Sequence, residues 1–326
     1  MYSWHKAQWD NVMQRKGALP HAILLRGRTG IGKYDFAVSL SHGLLCRHPV
    51  ESQKACGECA SCQWLKEGVH PDFKLITPED ESSDSTKKKT SKKKQISVAQ
   101  IRQLYDYLSL STHQVQGHRI ILISPAETLN IASANALLKM LEEPPANTLF
   151  LLVASQAQRL LPTIISRCQV LDLPIPPHAE AVVWLREQGV DKPETALEYT
   201  GGAPLEALRT QDQFASNQQL VQQLTLGQNL DPFVSAPLFM ALGMERAIEV
   251  IQKWTFDLIS YQLLQDSHYH SQQVHALQAL CKSVNLGVLL RFQRNLTDAK
   301  KAANHPLSNE MQLENILLQY THVFNG

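Results

Sequence analysis

Four cysteines form the densest group of side chains that could do chemistry: Cys46, Cys56, Cys59 and Cys62. The last three follow a Cys-x-x-Cys-x-x-Cys spacing, which lets neighbouring thiolates grip one tetrahedral ion from a tight turn, and Gly57 allows that turn. With four ligands no coordination position stays open, so the spacing predicts a structural zinc ion. A redox pair, unliganded structural cysteines and an iron–sulfur site are the alternatives at this point.

A glycine-rich loop, GRTGIGKY, lies between an apolar run and a helical pattern. It matches the Walker A motif G-x-x-x-x-G-K-[ST] except at the last position. Gly27, Gly30 and Gly32 permit a tight loop whose N–H groups face a phosphate, and Lys33 would reach the outer phosphates. The hydroxyl expected on Mg²⁺ is replaced by Tyr34, whose rigid ring cannot place its oxygen there. A purely structural glycine turn is the other interpretation.

The acidic residues of a working ATPase are missing after the apolar run at 119–123. Ser124 and Pro125 occupy the positions where a metal ligand and a water-polarising acid would stand, and Glu127 lies three residues past the metal position. Phosphoryl transfer depends on positioning and on metal-borne neutralisation of charge. We therefore expect crippled hydrolysis, although the loop could still bind ATP or ADP without turnover.

These groups need an α/β domain to position them. Short apolar runs alternate with helix-period segments in the first half of the chain, which predicts a parallel sheet built from βαβ units. The runs lie at 22–25, 73–76, 119–123, 148–154 and 169–173. After 174–177 the strand signal disappears, and helical patterns follow at 178–188, 193–209 (broken at Gly201-Gly202), 244–265, 271–283 and 287–303.

Three parts follow from this pattern. We predict an α/β P-loop domain at 1–173 with the zinc module at 46–62, a helical lid at 174–210 and an all-helical domain at 211–326. A low-complexity insert at 78–95 cannot bury apolar surface, so we expect a disordered loop. It is either simply solvated or holds DNA phosphates weakly.

Composition excludes several classes of protein. The 326 residues are 44% hydrophobic, and 31 Lys and Arg balance 30 Asp and Glu, which gives no global signal for nucleic-acid binding. Six cysteines are too few for a disulfide scaffold, and no apolar run approaches the ~20 residues of a membrane span. The first residues contain no apolar signal region, so we expect a cytoplasmic protein without membrane contact.

Three further motifs complete a known order. They are HPDF at 70–73, SANALLKMLEEPP at 133–145 and LLPTIISRCQ at 160–169. Together with the P-loop and the cysteine module, they resemble the bacterial clamp-loader ATPase family of the AAA+ class over about residues 1–210. The segment 305–320, HPLSNEMQLENILLQY, also resembles the end of one non-hydrolysing member of that family.

The resemblance implies an AAA+ domain, a lid and a C-terminal collar. It implies a place in a pentameric machine of the DNA polymerase III holoenzyme that opens the sliding clamp in DNA replication. The partners would be the gamma/tau and delta subunits, with the clamp contacted indirectly and primed DNA through the complex. A working gamma/tau-type ATPase is the alternative, and a zinc-dependent nucleic-acid binder acting alone is a third.

The resemblance also implies roles for single residues. Arg167 matches the arginine finger that one subunit points into the ATP site of its neighbour, whereas the other interpretation pairs it with a carboxylate of its own chain. Ser155 matches the first sensor position, and Leu205 stands where the second sensor would have an arginine. The missing arginine of the second sensor and the missing Mg²⁺ contacts are typical of a subunit that does not hydrolyse ATP at its own site.

Overall fold

The computed structural model describes residues 1–79, 95–109, 118–302 and 309–324. The chain divides into two compact units, Met1–Glu180 and Ala181–Gly326. The insert predicted at 78–95 lies almost entirely outside the described residues. The domain boundaries at 173/174 and 210/211 stay predictions.

A five-stranded parallel sheet forms the centre of the first unit, as the apolar runs predict. Its strands are β1 Ala22–Arg26, β2 Phe73–Ile76, β3 Arg119–Ile123, β4 Thr148–Ala154 and β5 Gln169–Asp172. The order across the sheet is β2-β3-β4-β1-β5. The register pairs Leu24 with Leu152 and with Val170, and it brings the carboxyl ends of β1 and β3 to one edge of the sheet.

The burial of each strand follows its place in the sheet. Every residue of β3 and β4 is buried, as expected for strands covered by helices on both faces, whereas β2 and β5 at the sheet edges are partly exposed. Arg26 and Asp172 close the end of the β1–β5 pair with bonds of 2.6 and 2.8 Å.

In the described part of the first unit, six α-helices accompany the sheet: α1 Lys6–Gln14, α2 Lys33–Leu45, α3 Ala60–Glu67, α4 Val98–Ser109, α5 Ile131–Glu142 and α6 Pro162–Ile165. Asn130 caps α5, since its side-chain oxygen accepts the N–H of Ser133 at 2.8 Å. The apolar faces of α4 and α5 join one core with the strands, which includes Leu104, Leu137 and Phe150. The helix predicted around 132–141 is thereby confirmed.

Helix α7, His178–Glu187, contains the point in the sequence at which the chain divides into its two units. The helices that follow it are α8 Pro193–Tyr199, α9 Pro204–Arg209, α10 Phe214–Leu224, α11 Pro232–Met240, α12 Met244–Leu264, α13 Val274–Cys281, α14 Leu286–Ala302 and α15 Asn309–Thr321. The break between α8 and α9 falls at Gly201 and Gly202, whose φ angles of 63° and 83° favour glycine.

Two hydrophobic clusters lie among the described residues of the second unit. One lies among α7, α8 and α9 around Leu185 and Leu197. The other joins α10 to α15, where Trp254 Nε1 donates to the Tyr320 hydroxyl at 2.8 Å and that hydroxyl donates to Leu224 O at 2.6 Å. None of the helices in the described ranges is both long enough and apolar enough to span a bilayer.

Candidate nucleotide and metal sites

The glycine-rich loop lies between β1 and α2, at the carboxyl edge of the sheet. Gly30 and Gly32 have φ angles of 79° and 92°, and Gly32 caps α2. A Cβ on Gly27 would stand 2.5 Å from Leu173 O and 2.8 Å from Ile31 Cδ1. The backbone conformation therefore favours glycine at positions 30 and 32, and the close approach of Leu173 O and Ile31 Cδ1 favours it at position 27.

Lys33 is bound within its own loop. Its ammonium donates to Arg28 O at 2.5 Å, and the residue is only 5% exposed. Burial lowers the pKa of Lys33 to about 8, against the smaller opposing effect of the Glu127 carboxylate. The group that would meet a phosphate thus already has a partner, while Tyr34 is 42% exposed.

The aromatic start of the chain packs on the loop. Trp4 Nε1 and His5 Nε2 both bond Ile31 O, at 3.0 and 2.8 Å, and both side chains are buried. The Tyr2 ring stacks on Trp4 with centroids 4.7 Å apart. Burial, and then the neighbouring Asp35 carboxylate, raise the pKa of Tyr2 to about 12. Sequence reasoning missed these contacts, and the cluster of aromatic residues at the start of the chain is the signal that could have indicated them.

Glu127 lies closer to the loop than its place in the sequence indicates. It follows β3 in a short 3-10 turn, and its Oε1 accepts the N–H groups of Ser155 at 3.0 Å and Gln156 at 3.2 Å. Its charge also acts on Lys33. Ser124, which occupies the position where a working ATPase would have its acidic metal ligand, is buried, and its N–H donates to Ile76 O at 3.0 Å.

The four cysteines converge as the spacing predicts. The Sγ atom of Cys46 lies 3.5 Å from that of Cys56 and 3.9 Å from that of Cys59, and Cys56 and Cys62 are 3.9 Å apart. All four sulfurs lie within 4.8 Å of one another, and none forms a disulfide. This cluster can hold one metal ion.

Backbone N–H groups point at the sulfurs. The N–H of Cys56 donates to Cys46 Sγ at 3.3 Å, and that of Cys59 donates to Cys56 Sγ at 3.4 Å. Burial raises the pKa of Cys59, but the backbone hydrogen bonds from Cys62 and Arg47 and the side-chain hydrogen bonds with Cys62 and Cys56 together lower it to about 6. Such bonds stabilise the thiolate form, which is the form that binds metals.

Arg167 follows α6 and makes its contacts within its own chain. Its Nη2 lies 2.6 Å from Glu142 Oε1 at the end of α5, and its Nη1 donates to Thr163 O at 3.1 Å. The Arg167 side chain remains 34% exposed and that of Glu142 49%. The finger role stays a prediction.

Comparison with known proteins decides the family. A family model described as "DNA polymerase III, delta subunit" matches residues 5–177. A DNA polymerase III subunit delta' of Pseudomonas aeruginosa is 36% identical over 274 residues, which cover 82% of this chain and 79% of that protein. The subunit delta' of Haemophilus influenzae is 32% identical over 276 residues, covering 82% and 80%. The chain belongs to the DNA polymerase III delta' family.

The delta' family membership confirms the resemblance that the motifs indicated. A third member, from Escherichia coli, is 33% identical over 212 residues, which cover 64% of this chain and 60% of that protein. The two sensor positions that the resemblance implied lie in separate parts of the fold. Ser155 follows β4, where its N–H donates to Glu127 Oε1, and Leu205 lies in α9.

Proposed function

We propose that the chain acts in the cytoplasm as a non-hydrolysing delta' subunit of the clamp loader of DNA polymerase III. There it would help to load the sliding clamp onto primed DNA, with gamma/tau and delta subunits as partners. The observation that carries this proposal is the P-loop, which keeps its glycines and Lys33 but binds that lysine to Arg28 O. We further propose residues 174–210 as the lid and 211–326 as the collar.

Missing metal contacts support the loss of hydrolysis. Tyr34 replaces the hydroxyl, and neither Ser124 nor Pro125 supplies the carboxylate that would hold Mg²⁺ or polarise water. Because the metal neutralises developing charge in phosphoryl transfer, losing both contacts removes most of what the protein contributes. The aromatic cover on Ile31 O further restricts the loop.

One observation favours a working ATPase as the second candidate. Glu127 provides a carboxylate whose charge acts on Lys33, although Oε1 is engaged by two backbone N–H groups. Purified chain should hydrolyse no ATP above a buffer control. Mg²⁺-dependent turnover that disappears in Glu127→Gln would overturn the first candidate in favour of the second.

Zinc is the ion that we assign to Cys46, Cys56, Cys59 and Cys62. With Zn–S bonds of about 2.3 Å, a regular tetrahedron places its sulfurs about 3.8 Å apart. The sulfurs of Cys46 and Cys56, Cys46 and Cys59, and Cys56 and Cys62 lie 3.5, 3.9 and 3.9 Å apart, close to that value, and all four sulfurs lie within 4.8 Å of one another. A disulfide would need about 2.05 Å, and a cubane cluster binds each thiolate to a different iron and so needs wider spacing. Bound zinc would hold the module folded.

Arg167 would serve the neighbouring subunit. Its pair with Glu142 is partly exposed, and such pairs contribute only about 0–1 kcal/mol, so a γ-phosphate across a subunit interface could draw the guanidinium away. The planar fork of arginine suits that task better than an ammonium does.

A reconstituted loader tests this role. We expect Arg167→Ala to lower clamp-stimulated ATP hydrolysis by roughly 10-fold, less than the 10³–10⁵ of a fully engaged finger because the other sites keep theirs. Arg167→Lys should rescue only in part, whereas Glu142→Gln, which removes the charge that holds the guanidinium within its own chain, should keep full activity. If Glu142→Gln lowers activity as much as Arg167→Ala while assembly is intact, the arginine acts only through its intrachain pair.

A further inference from the structure

We propose that Ser61 and His70 are positioning residues for the metal module, which tie its two buried cysteines to the edge of the sheet. Neither residue is a ligand. The inference rests on the proposed occupation of the module by zinc, and it gives a physical role to the HPDF motif, which the function above leaves unused.

The hydrogen bonds of His70 fix its tautomer. The backbone N–H of Asp72 points at His70 Nδ1 at 3.0 Å, so Nδ1 must accept. The neutral ring then carries its proton on Nε2, which lies 2.8 Å from Ser61 Oγ and donates to it. The imidazole is 4% exposed, and Trp64 covers it edge-on with centroids 5.9 Å apart.

Ser61 links His70 to the residues beside the first and last cysteines of the module. Its hydroxyl donates to Leu45 O at 2.7 Å, and it is fully buried. Leu45 directly precedes Cys46, and Ser61 directly precedes Cys62. These two cysteines are the buried pair of the four, since each is 6% exposed.

The other end of the connection is the sheet. Asp72 O accepts the N–H of Ile120 at 2.8 Å, one residue before β2 begins. A chain of hydrogen bonds thus runs from β3 through the HPDF motif and Ser61 to the residues beside Cys46 and Cys62. Because buried polar groups are costly to leave unpaired, this chain should restrain the two sulfurs around the bound ion and so slow its release.

Paired variants of the full chain can separate this role from plain packing. In His70→Asn, the side-chain oxygen can replace Nδ1 and keep the Asp72 contact but cannot reach Ser61. In His70→Gln, the amide nitrogen can replace Nε2 and keep the Ser61 contact. Ser61→Ala removes the hydroxyl, and Ser41→Ala is the matched control, because Ser41 is also fully buried but bonds Ala37 O within its own helix at 2.8 Å.

The measurement is the rate at which zinc passes from each protein to a chromogenic chelator, beside the melting temperature. We expect release to be roughly 10–100-fold faster for Ser61→Ala and His70→Asn, because changing the groups behind metal ligands typically weakens metal affinity by about that factor. His70→Gln should stay near the wild-type rate, and Ser41→Ala should keep that rate even if its melting temperature falls.

Equal release rates for His70→Asn and His70→Gln would overturn the inference. So would release rates that follow the melting temperatures across all the variants, Ser41→Ala among them. Zinc content of the wild-type chain is measured first. A wild-type chain that binds no zinc refutes the proposed cofactor, whereas normal zinc with unchanged release in the variants refutes only the roles of Ser61 and His70.

Discussion

The two ends of α2 carry two sites that differ in how their polar groups are satisfied. The P-loop lies at its first residue, Lys33, and the cysteine module begins directly after its last, Leu45, about 20 Å away for a helix of 13 residues. At the first end the ammonium already donates to Arg28 O. At the second, four sulfurs face one another. In both sites, the spacing of residues in the sequence predicts which side chains come together. The hydrogen bonds that these side chains already make then indicate whether the site still needs a bound ligand.

The largest effect should come from the module. Cys62→Ser should reduce bound zinc from about one ion per chain to none and lower the free energy of unfolding by roughly 3–5 kcal/mol, because the fold of the module depends on the ion. Elemental analysis and denaturant unfolding measure the two quantities. Cys281→Ser, far from the cluster in sequence, should keep the zinc, and equal zinc loss in both variants would refute the assignment.

The P-loop should respond to changes in packing without any nucleotide. In Gly27→Ala the new Cβ meets Leu173 O at 2.5 Å, and such overpacking costs about 1–3 kcal/mol. Gly17→Ala is the control, because nothing lies within 4 Å of its Cβ position. Thermal unfolding without nucleotide should separate the two variants, and equal melting temperatures would mean that the loop is not needed for packing.

Lys33 should make stability depend on pH. Its folded pKa of about 8 lies below the ordinary 10.5, so between these values the unfolded chain binds more protons and stability rises with pH. Below pH 8 the buried charge costs about 1–2 kcal/mol, allowing for solvent screening. Lys33→Met should remove this rise between pH 8 and 10.5, measured by urea unfolding. A difference between wild type and variant that does not change over that range would contradict the burial of the ammonium.

The smallest effect is expected from restoring one hydroxyl. Tyr34→Thr supplies the Walker A oxygen but leaves Ser124 and Pro125 unchanged, so ATP hydrolysis should stay at background. A coupled spectrophotometric assay of the purified variant checks this. Turnover in the single variant would show that Tyr34 alone blocks a competent site.

The sequence predicted well what depends on local pattern. The strands, the break at Gly201-Gly202 and the convergence of the four cysteines all follow from periodicity, turn residues or close spacing. The contacts of Trp4 with Ile31 and of Ser61 with His70 did not follow, because they join residues through the folded chain and leave no periodic trace. The position of Glu127 in the sequence, three residues past the metal position, did not indicate that a short turn brings its charge to Lys33.

The hydrogen-bonded chain from Trp254 through Tyr320 to Leu224 also bears on how the protein is made. The last strand of the sheet ends at Asp172, so the first unit has all its strands early in translation. The second core needs Tyr320, roughly 150 residues later, which at about 5–20 residues per second corresponds to a delay on the order of 10 s. During that interval the apolar faces of α10 and α12 have emerged without α15 to cover them. We therefore expect a nascent chain stalled before residue 309 to recruit a ribosome-associated chaperone through its second unit, while its first unit already resists protease.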